Sequence, residues 1–414
     1  MDEQRRGRRN LAQNLLITLL TLTAAALFTQ TQLYSMGVDR GASALGGAAQ
    51  TAGAAEPGEL AAPVRVAVTG SYGRYGSAAM TTGDREFADP LGRCLAEALG
   101  SARDYAECTE AEFLAALEAP SIYYDFLSPL PLPVLSMLTG GGAAEESISA
   151  RRLILSGVGG GVSLYLWDGG EIYLRAGTAA SRESLQQTAG EYEQGGAVFA
   201  LDFGADLAPC SLLPKEPPEL PMLTAGDALP DTNGLLTAIG FNPRVRTRYL
   251  ESNGTELIAD GSQTLRIRPD RTVFYNSGGD GSLKIEASGE APSLEEAVLG
   301  TAKLLNGLLS PGEASLYLQE VRENGKNLVL RFGCQMQGVP VRYADGGCAA
   351  EATLSGRSVE ALTLRFRQYA STGETALLLP LKQALAVASQ TPGVELAVGY
   401  VDSGTECTPH WLAD

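Results

Sequence analysis

The chain has little of what most enzymes use for acid–base and metal chemistry. Its 414 residues include one histidine, His410, and five lysines against 26 arginines. A Ser-His-Asp or Cys-His arrangement would have to use His410, and neither a G-x-S-x-G elbow nor an S-x-x-K motif offers a serine nucleophile. Zinc takes several His or Cys ligands, and the six cysteines have no C-x-x-C spacing. The acidic pairs Glu145-Glu146 and Glu295-Glu296 are adjacent in sequence, whereas glycoside hydrolysis needs two carboxylates facing each other across a cleft. No catalytic residue, metal ligand or cofactor is therefore assigned, and a non-catalytic protein is expected. His410 is expected to be exposed or hydrogen-bonded near the last strand.

What the chain has in excess is negative charge. A formal net charge of −17 argues against nucleic acid and anionic headgroups as partners. At 44% hydrophobic residues the chain can bury a substantial core, enough for two or three domains.

The N-terminus departs from this acidic pattern. Arg5, Arg6, Arg8 and Arg9 precede an apolar run from Leu11 to Tyr34, and arginines hold such a stub on the cytoplasmic side while the rest is carried across. The run matches a hydrocarbon core of roughly 30 Å. Its anchoring residues are Leu15, Leu16, Ile17, Leu19, Leu20, Leu22, Leu27 and Phe28. The small residues Ala24, Ala25 and Ala26 also suit a signal peptidase. An uncleaved signal-anchor is the expectation, because Leu27 and Phe28 continue the apolar segment beyond that cut. Either way, the bulk of the chain is expected to be extracytoplasmic, and with the uncleaved anchor the protein is expected to be single-pass in the cell membrane.

Export permits disulfides. Cys334 and Cys348 flank a strand pair, and Cys94 and Cys108 lie in or beside neighbouring helices, so these two bridges are the candidates. Cys210 and Cys407 read as small buried hydrophobes.

Beyond the stub (1–10) and anchor (11–34), residues 35–62 are rich in Gly and Ala and read as a tether. Residues 63–208 read as a mixed α+β domain. Its signals are the alternating VRVAVT, Asp89-Pro90 at a helix start, the capping box Thr109–Glu112, and Asp168-Gly169 as a hairpin turn. SIYYDFLSPLPLPVLSML reads as a strand, a Pro-rich turn and a short helix. Gly70, Gly73 and Gly76 read as a turn rather than a phosphate loop. Residues 209–233, with four prolines in CSLLPKEPPELPML, read as a connection. Residues 234–310 form a middle meander-helix domain, with turns at Asn253-Gly254, Asp260-Gly261 and Pro269-Asp270 and a helix from Ser293. Residues 311–414 form a C-terminal α+β domain with a closing strand, VELAVGYVD, and a tail. The arginine-rich strands RTRYL, LRIRPDR and LRFRQY suit either a solvent face or an anionic ligand.

The order of these elements resembles the YycH/YycI-type proteins of Gram-positive bacteria. The short patterns that carry the likeness are Phe241-Asn242-Pro243 before the meander, Gly338-Val339-Pro340-Val341 at a strand start, and Tyr400 with Pro409 and Trp411 at the end. SIYYDFLSPLPLP adds a looser match. The resemblance implies an α+β fold: a single transmembrane helix, a mixed α+β domain, then two antiparallel meander-plus-helix units of PepSY type. It also implies a membrane-anchored accessory regulator of a cell-wall sensor histidine kinase. The partners it implies are that kinase and a related anchored regulator. The alternative is an exported module or hydrolase acting on envelope polymer, motivated by the arginine-rich strands and by Trp167 and Tyr173.

Overall fold

A computed structural model describes Leu60, residues 65–70 and residues 87–413, apart from 142–143, 145–147, 193–194, 205–206, 245–246 and 280–281. The stub, the anchor run and all of the tether but Leu60 lie outside the described residues, as do Gly73, Gly76 and the Glu145-Glu146 pair. Among the described residues no helix is long and apolar enough to cross a membrane. The fold is mixed α+β and mostly strand, with seven α-helices among the described residues. The described residues divide into two compact units, residues 230–244 forming the smaller and the rest the larger.

In the larger unit, six antiparallel strands come first: β1 (Arg65–Thr69), β2 (Arg103–Glu107), β3 (Ser121–Pro131), β4 (Ser149–Ser156), β5 (Ser163–Trp167) and β6 (Tyr173–Gly177). Their spatial order is β1-β3-β4-β5-β6-β2. Both faces are buried. On one, Ala67, Tyr123, Ile154 and Tyr165 pack with Phe113, Leu117, Phe199 and Leu212. On the other, Tyr124 is fully buried and its hydroxyl donates to the Leu91 carbonyl at 2.8 Å, just ahead of helix α1 (Arg93–Ser101). Helix α2 (Glu110–Ala115) starts in the expected capping box: the Thr109 N–H donates to Glu112 Oε2 and the Glu112 N–H donates to Thr109 Oγ1. The β5–β6 hairpin turns at Asp168-Gly169 as expected. Gly169 sits at φ 94°, and Asp168 Oδ1 accepts from the N–H groups of Gly170 and Ile172.

The expected Pro-rich turn after SIYYDF is part of a strand. β3 continues to Pro131 through an irregularity between Asp125 and Leu130, with Leu127 at φ 65°, and leads into α3 (Leu132–Leu138). The expected connection at 209–233 is also partly sheet. After α4 (Arg182–Gly190), β7 (Ala197–Phe199) pairs with β8 (Leu212–Pro214), and β9 (Leu220–Asp227) lies between two strands of the large sheet. Pro214 ends β8, Pro217 and Pro218 fall between strands, and Pro221 lies next to the start of β9. Prolines there leave most of each ladder intact.

In the smaller unit, α5 (Thr232–Ala238) is capped by Asp231, whose Oδ1 accepts from Asn233 and Gly234.

The large sheet has thirteen strands. Besides β9 it contains the meander β10 (Arg248–Leu250), β11 (Glu256–Asp260), β12 (Gln263–Ile267) and β13 (Thr272–Asn276), which is followed by α6 (Leu294–Leu308). It continues with β14 (Ser315–Asn324), β15 (Asn327–Met336), β16 (Val339–Tyr343), β17 (Ala350–Ser355), β18 (Ser358–Arg365) and β19 (Arg367–Ala376). After α7 (Leu381–Ala388) come β20 (Leu396–Asp402) and β21 (Glu406–Ala413). β13 pairs with β18, so the strands of both expected meander-plus-helix stretches share one sheet. All its ladders are antiparallel except β16–β20. The expected tail is β21, paired with β20 and β9.

Candidate binding site

The site begins with one row of residues across the six-stranded sheet. Arg65 on β1 faces Asp125 on β3, Asp125 faces Arg152 on β4, Arg152 faces Trp167 on β5, and Trp167 faces Tyr173 on β6. Directly opposed residues of an antiparallel sheet share a face, so strand register alone lines up cation, anion, cation and two aromatic rings. The Arg152 guanidinium lies 4.5 Å from the Trp167 ring centre, and Trp167 stacks on Tyr173 at 6.2 Å. Asp125 is fully buried, and Arg65 and Arg152 nearly so.

Glu395, just before β20, completes the cluster from the far end of the chain. Arg65 Nη2 donates to Asp125 Oδ2 at 2.6 Å and also to Glu395 Oε1. Arg151 Nη2 and Arg152 Nη2 each lie 2.7 Å from Glu395 Oε2, and the Nε atoms of both arginines lie 3.3 Å from the Asp125 carboxylate. The left-handed Leu127 turns its N–H onto Asp125 Oδ1 at 3.1 Å. Five ionised side chains thus join the six-stranded sheet to β20. Burial alone would raise the Asp125 carboxyl; Arg65, Arg151 and Arg152, with the Leu127 N–H, outweigh it and hold the group well below the usual carboxylate range;. Glu395 is likewise held low by Arg65, Arg152 and Arg151, against its burial and the charge of Asp125.

Beside this cluster lies a cavity of about 660 Å³. Arg65, Arg151 and Glu395 line it, with Leu127 and Ser128 from the β3 irregularity. Apolar walls come from Leu212, Leu220, Val339, Pro340, Val398 and Leu412, and the exposed Arg342 contributes a further guanidinium. Tyr317 and Gly333, opposed on β14 and β15, also line it. A Cβ on Gly333 would come within 2.6 Å of the Tyr317 ring, so glycine is what lets the ring lie flat on β15;.

The patterns singled out in the sequence meet here only in part. Leu127 and Ser128 of SIYYDFLSPLPLP, and Gly338 to Val341, line the cavity. Tyr400 and Pro409 are opposed on β20 and β21, and the Tyr400 hydroxyl donates to the Pro221 carbonyl at 3.0 Å. The Trp411 indole donates to the Leu379 carbonyl at 2.8 Å, and its ring packs on the cluster formed by α7, Leu207 and Leu213. Phe241 is buried, and Asn242 Oδ1 accepts from the Arg244 N–H in the turn after α5. Phe241, Asn242 and Pro243 belong to the smaller unit and are not among the cavity residues. His410 is exposed on β21, 2.8 Å from Thr408 Oγ1.

Neither expected disulfide is formed, and all six thiols are free. Each thiol of the expected pairs has other company. The Tyr343 hydroxyl donates to Cys334 Sγ at 3.7 Å, and the Cys348 thiol donates to the Ala350 carbonyl at 3.3 Å. Cys94 Sγ is 3.8 Å from Thr188 Oγ1, while Cys108 packs on the Phe113 and Tyr165 core. Burial pushes the Cys210, Cys334 and Cys407 thiols up to about 12, so they stay protonated at neutral pH;.

Among the described residues, most arginines of the arginine-rich strands are paired or stacked. Arg248 pairs with Glu256, Arg271 and Arg367 with Asp227, and Arg365 with Asp345, while Arg268 lies over the Phe274 ring. The residues that do concentrate positive charge, Arg65, Arg151 and Arg152, escaped the sequence reading. Their signal is in the sequence: Arg65 opens RVAVT, Asp125 is a single charge within IYYDFL, and the pair Arg151-Arg152 precedes LILS, charges set in otherwise apolar strands. Among the described residues no group of three or more His, Cys, Asp or Glu could hold a metal ion.

Compared with protein-family models, curated proteins and solved structures, the chain matches none.

Proposed function

We propose that this protein is a non-catalytic, membrane-anchored extracytoplasmic regulator of a two-component sensor histidine kinase linked to cell-wall homeostasis. The observation that carries this is the order of the N-terminal sequence: four arginines, an apolar run from Leu11 to Tyr34, a Gly/Ala-rich stretch, then a large acidic remainder. The resemblance to YycH/YycI-type proteins supports the same assignment, and with it a kinship of the two meander-plus-helix stretches to PepSY modules. Action is by contact of the anchor helix and ectodomain with the kinase, alongside a related anchored regulator. The physical basis is differential affinity for two kinase states, which shifts their populations. The outermost strand β10 suits such contact, since Tyr249 and Leu250 on it are 60% and 78% exposed;.

Photocrosslinkers placed at Leu19 and Leu22 in native membranes test this. A sensor kinase adduct is expected, with altered kinase output on deletion of the gene. No kinase adduct together with unchanged output overturns the proposal.

A further inference from the structure

We infer that the cavity beside the Arg65–Asp125–Glu395 cluster binds one small amphiphilic anion, a carboxylate or phosphate head on a single apolar body. This goes beyond the regulator assignment and does not depend on it, because it concerns only what the folded part holds.

The volume comes first. Interiors pack densely, and voids much larger than a water molecule are few, whereas small-molecule sites run to several hundred Å³ with mostly apolar walls and a few placed polar groups. The cavity has that size and that lining. Its charged lining nearest the cluster is mostly of one sign. Arg65 and Arg151 line it with one carboxylate, Glu395, which is already shared among three guanidinium groups. Asp125 and Glu395 together leave the cluster of Arg65, Arg151 and Arg152 with positive charge in excess. Arg65 is nine-tenths buried, and its Nε and Nη1 have no acceptor among the described residues. Arg151 is the more accessible partner, its side chain 19% exposed. In a chain of net charge −17 this is a local positive hole, and a small anion is the ligand it favours. Arginine adds a planar fork suited to carboxylate or phosphate oxygens.

The apolar walls decide the rest of the ligand. Ser128, Gln319 and Gln337 are neutral polar groups of the lining, but Val339, Pro340, Val398 and Leu412 offer no hydrogen-bonding side chain, so a hydroxyl set against them would stay unpaired;. An alkyl or aryl body suits that wall. Leu127 supports this: a bulky residue held at φ 65° in the lining of a cavity is the kind of strained position that gathers at binding sites;.

The test is calorimetric titration of the full chain in nanodiscs, with empty nanodiscs as the blank, using octanoate, octyl phosphate and octanol. One equivalent of anion is expected to bind, with octanol weaker by about tenfold or more. Tighter binding of octanoate assigns the site to carboxylates, and tighter binding of octyl phosphate to phosphate monoesters. Two variants read the two ends. Arg151→Met is expected to weaken the anions about ten- to hundredfold and to level them with octanol. Ala397 lines the cavity opposite Leu412 on the β20–β21 ladder, and Ala397→Trp, which fills that part of it, is expected to weaken all three together. Absence of binding, octanol binding as tightly as the anions, or an Ala397→Trp variant that melts like the parent yet keeps full affinity overturns the inference.

Discussion

Among the described residues, two ion clusters use the same chemistry in different places, the first buried and the second buried at Asp402 but open at Asp227. In the first, Arg65, Arg151 and Arg152 share Asp125 and Glu395 across a gap of 330 residues in sequence. In the second, Arg367 on β19 grips Asp402 on β20 with two bonds of 2.9 and 2.8 Å, and reaches Asp227 on β9 at 3.1 Å. The Tyr369 hydroxyl adds a bond of 2.8 Å to Asp402. The backbone surroundings differ. Strands β19, β9, β21 and β20 are neighbours in one sheet, so the second cluster reinforces a joint that ladder hydrogen bonds already hold. No named ladder joins β1, β3 and β4 to β20, and among the described residues the nearby backbone link is the single bridge of Leu207 to Val394. There the side chains are a main part of the joint. An ion cluster is therefore structural reinforcement in one place and an attachment between layers in the other.

Acid is the harshest way to break both. Asp125, Glu395 and Asp402 all have carboxyl groups held below their ordinary values, in each case by arginines that outweigh burial. A carboxyl depressed in the native state stabilises the fold above its unfolded value, about 4, and that contribution is lost as pH falls through the native value. Denaturant titrations at pH 6, 4 and 3 should show stability falling steeply below about pH 4. A flat profile over that range would mean these carboxylates carry no net stabilisation.

Removing one carboxylate separates the clusters. Asp125→Ala leaves three arginines around an empty, dry position, and loss of one partner from a buried pair costs about 3–5 kcal/mol. Glu395→Gln is expected to cost about 1.5–3 kcal/mol, the scale of hydrogen bonds to charged groups. It should act on one place, with hydrogen exchange accelerating at the Ala208 N–H, which donates to the Val394 carbonyl;. Asp402→Asn should cost less, about 1–2 kcal/mol, because Arg367 keeps Asp227 and the Gly404 carbonyl and the ladder is untouched. If Asp402→Asn loosened its strands as much as Glu395→Gln loosens the joint, the distinction between reinforcement and attachment would fail.

Local signals and long-range ones fared differently. The capping boxes at Thr109 and Ser293, the Asp168-Gly169 turn and the meander after Arg248 were legible because each is settled within a few residues. β9 was hidden by its flanking prolines, and β21 by Pro409, which read as a tail although it faces Tyr400 in a ladder. The ion cluster depends on registers between residues 60, 27 and 330 apart. No local pattern encodes those. The disulfide expectation erred in the same way, since nearness in sequence does not say where a thiol points.

A surface pair completes the series and isolates burial as its variable. Arg365 Nη2 lies 2.6 Å from Asp345 Oδ2, as short as Arg65 to Asp125, yet the Asp345 side chain is 58% exposed. Its carboxyl is held low, first by the Arg365 bond and then by the Gly347 N–H, but water and salt screen a pair so placed. Asn at 345 can still accept from Gly347, whose N–H is 3.0 Å from Oδ1, and Arg365 still stacks on Tyr343 at 4.4 Å. Asp345→Asn should therefore cost no more than about 1 kcal/mol, with the midpoint of thermal unfolding nearly unchanged. A loss comparable to that of Asp125→Ala would show that contact distance, not exclusion of water, sets the strength of these pairs.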